Sequence, residues 1–249
     1  MKKAILMLAL AGITISASAQ QMMNKKGMPI KPVAGDYGLI INAAPFLNYA
    51  GNFFGKTDDN NSPTFSNYGS AGNPFTISGR YFLEDNRALR VDFTLGISSS
   101  TSESQNGTDT NKIDEFKVSR SNIGIGAGYE IRRGVGRLVV SYGPQFMIMS
   151  SSNNDGRREF TNANNANGNF LEEGGNTLTF GVGGFLGLEY FFAPKMSVGG
   201  NFGLNLTSSS TSERTEKVGN ANATVINGKS SGFGVQNSNN SSISLNFYF

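Results

Sequence analysis

Residues 176–192, NTLTFGVGGFLGLEYFF, alternate with a period of two over seventeen positions. Leu178, Phe180, Val182, Gly184, Leu186, Leu188, Tyr190 and Phe192 fall on one side. Thr177, Thr179, Gly181, Gly183, Phe185, Gly187, Glu189 and Phe191 fall on the other. That period belongs to an extended strand, because successive side chains of a strand point to opposite faces. The same pattern returns near 37–49, 74–83, 88–98, 117–131, 137–149, 196–207 and 242–249, which predicts eight strands. No stretch of useful length carries a helical period.

None of the apolar faces carries a charge. Leu89, Val91, Phe93, Leu95 and Ile97 make up one, and Met196, Val198, Gly200, Phe202, Leu204 and Leu206 another. A lipid-facing Arg or Lys near the bilayer midplane costs roughly 2–4 kcal/mol, so such clean faces are expected of strands that meet lipid. The connections also sort into two kinds. LEDNR, RRGVG and APK are short, whereas roughly 50–73, 99–116, 150–176 and 208–238 are long and polar. Short turns on one rim and long loops on the other predict an all-β fold: an eight-stranded antiparallel transmembrane up-and-down β-barrel, with short periplasmic turns and four long extracellular loops. A secreted β-sandwich would alternate too, but its outer face would carry Lys, Glu and Thr. Pro45 and Pro144 fall inside predicted strands, where each removes a ladder hydrogen bond, so bulges or strand ends are expected there.

Residues 1–19 read as a secretory signal cleaved after Ala19. Lys2 and Lys3 precede an apolar run from Ala4 to Ile15, and Ala17-Ser18-Ala19 supplies small residues at the cleavage site. Residues 20–35 read as a flexible polar lead, and 36–249 as the barrel. Removing the leader leaves 19 Lys and Arg against 18 Asp and Glu, so the charge balance indicates no nucleic-acid partner.

The leader, the strand-and-loop layout and the terminal NFYF together resemble the small eight-stranded outer-membrane barrels of Gram-negative bacteria, the OmpA/OmpX-like superfamily. The resemblance covers about residues 36–249 and implies a monomer in the cell outer membrane. It also implies that Phe249, ending the last strand, signals to the barrel-assembly machinery. Tyr81, Tyr129, Tyr190 and Phe192 are expected as an aromatic girdle at the periplasmic interface. OmpA itself has a C-terminal peptidoglycan-binding domain; here the barrel alone is expected over 36–249, so a cell-wall tether is not expected.

The chain has no His and no Cys, which excludes a Ser-His-Asp triad, thiol chemistry and any metal site built on either residue. No enzyme, cofactor or metal is expected. GIGAG at 124–128 lacks the Lys of a phosphate loop, and its glycines read as room in a narrow lumen. RRGVGR at 132–137 reads as a solvated turn, with contact to anionic headgroups as the sharper alternative. On the lumenal faces, Arg80, Arg90, Asp92, Glu130 and Glu189 lie toward the turn end, together with Arg137, while Arg120 sits higher. Charges in so narrow an interior must pair, and the first five are expected to form an ionic plug. The long loops are rich in Asn, Ser, Thr and Gly, with few aromatic anchors. The expected role is structural or surface-interaction. A small-solute or ion channel gated by the lumenal pairs is the first alternative, and loop-mediated adhesion or binding of a small lipid or apolar ligand the second.

Overall fold

The computed structural model of the chain describes residues 22–42, 70–71, 74–152, 157–237 and 243–249. The leader and Pro45 lie outside them. The described residues form one antiparallel sheet of thirteen strands. They are β1 (Tyr37–Asn42), β2 (Phe75–Glu84), β3 (Arg87–Gln105), β4 (Ile113–Val135), β5 (Leu138–Ser151), β6 (Arg157–Thr161), β7 (Phe170–Gly174), β8 (Thr177–Ala193), β9 (Met196–Thr211), β10 (Arg214–Val218), β11 (Thr224–Asn227), β12 (Ser230–Asn237) and β13 (Ile243–Tyr248). The one helical element among the described residues is a 3₁₀ turn at Ala166–Gly168.

Eight strands close on themselves in the order β1, β2, β3, β4, β5, β8, β9, β13 and back to β1. The antiparallel all-β reading of the sequence therefore holds, and each of the eight alternating segments supplies one strand of the ring. The last strand pairs with the first from Gly38↔Tyr248 to Asn42↔Ser244. Tyr37 and Phe249 extend that pairing by exchanging two backbone hydrogen bonds. The three shortest turns of the ring (Asp85-Asn86, Gly136-Arg137, Pro194-Lys195) and the Tyr37–Phe249 end of the closing pair lie together, at the turn end of the ring, while the β3–β4 connection lies at the other end.

The two faces of the ring are opposite in character. Val91, Phe93, Ile125, Val182, Leu186, Leu188, Phe202 and Leu206 point outward and are about half exposed. Arg80, Arg90, Glu130, Arg132, Glu189, Asn205 and Asn246 point inward and are buried. The apolar core proper is small and sits at the turn end, where Ile30, Phe82, Ala88, Val139, Phe191 and Tyr248 pack together.

Three local expectations are corrected. The first concerns the lead. Residues 22–36 are not loose: Ile30 is 2% exposed in the turn-end core. Its carbonyl accepts the Lys195 N–H at 2.9 Å, and the Lys195 ammonium lies 2.8 Å from Asp36. Ala34 donates its N–H to Asp85, and the Gly35 and Phe82 backbones are joined. Ile30 and Pro32 are buried, and together with these bonds they hold the segment across the end of the ring, which no period-two pattern could reveal.

The second concerns Pro144, where β5 neither ends nor bulges. Gly128↔Gln145 and Ile131↔Tyr142 keep one register, and only the pairs between them are missing from the ladder. Gly143 accommodates this by close approach, since a Cβ added there would land on the Tyr129 carbonyl. Gly143→Ala is expected to push β4 and β5 apart and cost about 1–3 kcal/mol, read from the urea midpoint of the refolded protein.

The third concerns the polar connections. β3 runs on to Gln105, β4 starts at Ile113, and β6, β7, β10 and β11 extend the sheet sideways from the outer part of β4. β12 pairs with the outer part of β9. Alternation reports a strand only when one face is apolar. A strand such as Ser98–Ser104, with hydroxyls on both faces, looks like a loop in the sequence.

Candidate functional site

The interior of the ring holds the densest chemistry among the described residues. Its positions follow from strand parity. Gly124, Gly126, Gly128, Glu130 and Arg132 share the inner face of β4, and Phe185, Gly187, Glu189 and Phe191 that of β8. The glycines make space. A Cβ at Gly126 would lie 3.4 Å from Asp92, one at Gly128 3.5 Å from the Phe185 ring, and one at Gly38 against Tyr248. The glycines of GIGAG thus line the interior beside large side chains.

Glu189 and Glu130 are the centre of the cluster, at 3% and 0% exposure. Arg132 lies 2.7 Å from Glu189 and 2.6 Å from Glu130. Arg80 lies 2.9 Å from Glu130 and 3.4 Å from Glu189. Each guanidinium therefore bridges both carboxylates, and the four charges cancel. Glu189 also accepts hydrogen bonds from Asn246 at 3.0 Å and from the Ser197 and Tyr248 hydroxyls. The Tyr248 hydroxyl in turn accepts from Arg80. Fully satisfied acceptors of this kind are what makes a buried carboxylate tolerable.

The other two charges of the expected group form a separate pair. Arg90 lies 3.4 Å from Asp92, donates to Gln145 at 2.9 Å and stacks over the Phe185 ring at 3.9 Å. Gln145 passes the contact on to Asn205 at 2.8 Å. On the loop side of this layer is a cavity of about 30 Å³ lined by Thr76, Asp92, Thr94, Gln145, Met147 and Asn205 among others. That is room for a water molecule or two.

Thus Arg80, Glu130 and Glu189 meet directly, and Arg90 with Asp92 form the adjoining layer. Arg137 does not join them: it donates to the Phe191 and Phe192 carbonyls at 3.1 and 2.8 Å, at the turn. Arg120 is exposed. Arg132 is the member that sequence reasoning misses, because RRGVGR has the composition of a turn. The signal is the parity of β4, which carries the inward face from Gly124 through Glu130 to Arg132. Tyr248, Ser197 and Asn246 are likewise partners that the sequence does not single out. Beneath the cluster, Lys31 lies near Arg132, and its ammonium is held below the ordinary lysine range, first by burial and then by that guanidinium.

The four aromatic residues expected at the turn end all lie on the outward face, Tyr129 being paired with Leu89, and differ in exposure. Tyr81, Tyr190 and Phe192 point outward at 39%, 48% and 45% exposure, while Tyr129 is half-buried. Tyr37 packs against Tyr81 with ring centroids 5.0 Å apart. Phe249 is 72% exposed.

A second cluster lies beyond the ring, on the sheet built from the expected loops. Phe116↔Phe160, Phe160↔Phe170 and Phe170↔Val218 are successive register pairs, so four apolar side chains form a ladder across β4, β6, β7 and β10. Ring centroids are 6.2 Å apart for Phe116 and Phe170, and 5.5 Å apart for Phe160 and Phe170. Arg158 sits 5.4 Å over Phe116 and 3.4 Å from Glu172, which also holds the buried Arg214 at 2.6 Å. The loops carry few aromatics, as their sequences indicate, but the register collects three of them.

Compared with known proteins, the chain matches no protein-family model, and no curated protein matches its sequence.

Proposed function

We propose that the chain is a non-enzymatic integral β-barrel of a Gram-negative outer membrane, with an interior closed by side chains and a structural or surface-interaction role. The observation that carries this reading is the inverted polarity of the ring. Its outer surface is a continuous apolar belt, and its interior holds paired charges. Soluble monomers do not expose apolar patches of that extent. Outward apolar runs such as Leu89 to Ile97 on β3 and Met196 to Leu206 on β9 have about the 9–11 residues needed to cross a bilayer at the usual tilt. Among the described residues each of the eight ring strands has a hydrogen-bonded neighbour on both sides, which favours a spanning role. Outward Tyr81, Tyr190, Phe192 and Phe249 at the turn end suit the periplasmic interface. The Phe116, Phe160 and Phe170 ladder supports the surface-interaction half of the reading, because aromatic and Arg side chains supply most anchors of binding surfaces.

The test is fractionation with gel mobility. The mature protein should sediment with outer membranes, and its band should shift on SDS gels only after boiling. A protein recovered in the aqueous periplasm would sink the reading.

Phe249 is the proposed recognition residue for the assembly machinery. Its part in ring closure is through its backbone, which Phe249→Ala keeps. That variant is expected to keep its urea midpoint within about 0.5 kcal/mol while its yield in outer membranes falls. A matching loss of stability in vitro would instead make Phe249 a packing residue.

One observation favours a second reading, a channel gated by the interior pairs. Arg80 and Arg132 each contact both Glu130 and Glu189, so partners can exchange without leaving a charge bare. Single-channel recording of the refolded protein beside Glu130→Gln and Glu189→Gln decides it. Steady openings altered by either substitution support gating, and silence in all three supports the closed interior.

A further inference from the structure

We propose that residues 22–29 form a basic finger that docks on an anionic bilayer surface at the turn end of the ring. This rests on the membrane reading above. The segment is a built hairpin. Its feet are held by the Met23↔Pro29 bridge and by the Ile30 N–H, which donates to the Met22 carbonyl at 2.8 Å, with Ile30 itself in the core. Its tip is fixed by Asn24, whose side-chain oxygen accepts the N–H groups of Lys26 and Met28 at 2.9 Å each. Gly27 closes the turn at φ +77°, a conformation that L side chains rarely adopt.

This rigid tip presents an unusual surface. Met22, Met23 and Met28 are 36%, 54% and 48% exposed, and Lys25 and Lys26 stand exposed between them. Residues 22–35 contain no Asp or Glu. The Met22 methyl approaches Gly136, which places the finger beside the β4–β5 turn. There Arg133 is exposed on the outward face of β4. Of the basic motif at 132–137, Arg132 is committed to the interior and Arg137 to backbone carbonyls. Arg133 is available to a headgroup, joined by Lys25 and Lys26. Exposed apolar side chains between cations are the chemistry of an interfacial anchor: methionines enter the acyl boundary and the ammonium groups meet lipid phosphates. The outward aromatic residues Tyr81, Tyr190 and Phe192 mark the same end as the interface.

The chain has no cysteine, so single-cysteine probes report cleanly. The experiment places an environment-sensitive fluorophore at Met23→Cys, with Val91→Cys in the apolar belt as the reference. Each labelled protein is refolded into vesicles of phosphatidylcholine, with and without phosphatidylglycerol. The finger probe is expected to shift to the blue and resist iodide quenching when phosphatidylglycerol is present, and to lose both changes with Lys25→Gln/Lys26→Gln. All these positions are exposed, so folding should be unaffected. A finger probe that stays aqueous in both vesicles while the Val91 probe reports lipid overturns the finger. A shift independent of phosphatidylglycerol and of the lysines overturns its headgroup specificity. A Val91 probe that reports water overturns the membrane reading, and the finger with it.

Discussion

Glu189→Ala is expected to destabilise the protein by about 3–5 kcal/mol, the largest loss among the charged residues of the ring. The carboxylate receives two guanidiniums, one amide and two hydroxyls, and all five donors are buried. Removing it leaves Glu130 to balance both Arg80 and Arg132. The readout is the urea midpoint of the refolded protein and the fraction of heat-modifiable band. Glu84→Ala is the control. Its pair with Arg87 is about half exposed on both sides, so a change within about 0.5 kcal/mol is expected. Removing Arg132 as well should recover part of the loss, because the double variant no longer buries an unbalanced cation. A Glu189→Ala variant as stable as the control would show that the cluster only fills space.

Tyr248 is the second large effect and separates ring from hydroxyl. Its ring packs against Phe191 at 5.7 Å and edge-on to Phe82 at 5.6 Å, and its hydroxyl joins Arg80 to Glu189. Tyr248→Ala empties the turn-end core and is expected to cost about 3–5 kcal/mol. Tyr248→Phe keeps the packing but removes one partner each from Arg80 and Glu189, at a cost of about 1–3 kcal/mol. Equal losses in the two variants would place the whole contribution in the hydroxyl. Tyr248 also lies on the strand that closes the ring, one residue before the exposed Phe249. If Phe249 has the proposed assembly role, the two neighbours should respond oppositely: Tyr248 in stability and Phe249 in yield in the outer-membrane fraction.

How far the sequence can be read varies by residue. Alternation alone assigns the outward residues of the ring, such as Val91, Val182 and Leu204, to the right face. The same parity assigns Arg80, Glu130 and Glu189 to the interior. Arg132 escapes because it stands next to turn glycines, and local composition outweighs the period that runs through it. Ile30 escapes because the apolar residues around it, Met22, Met23, Met28 and Val33, follow no regular period that would single it out as the buried one. The ladder of Phe116, Phe160 and Phe170 joins three strands, and no sequence window contains all of it.

The division has a physical basis. Alternation is a property of one strand, so a strand with one apolar face announces itself, its direction and which side chains share a face. Eight such strands, with polar and glycine-rich inner faces, predict an antiparallel sheet with its apolar side turned out. Partners are a property of register between strands. Which guanidinium meets which carboxylate, whether Arg90 joins Glu130 or Asp92, and whether polar segments such as Ser98–Ser104 pair into further sheet all depend on hydrogen-bond alignment across residues far apart in the chain. Only the folded ring supplies that alignment, and with it the cluster around Glu189 and the segment that Ile30 holds across its end.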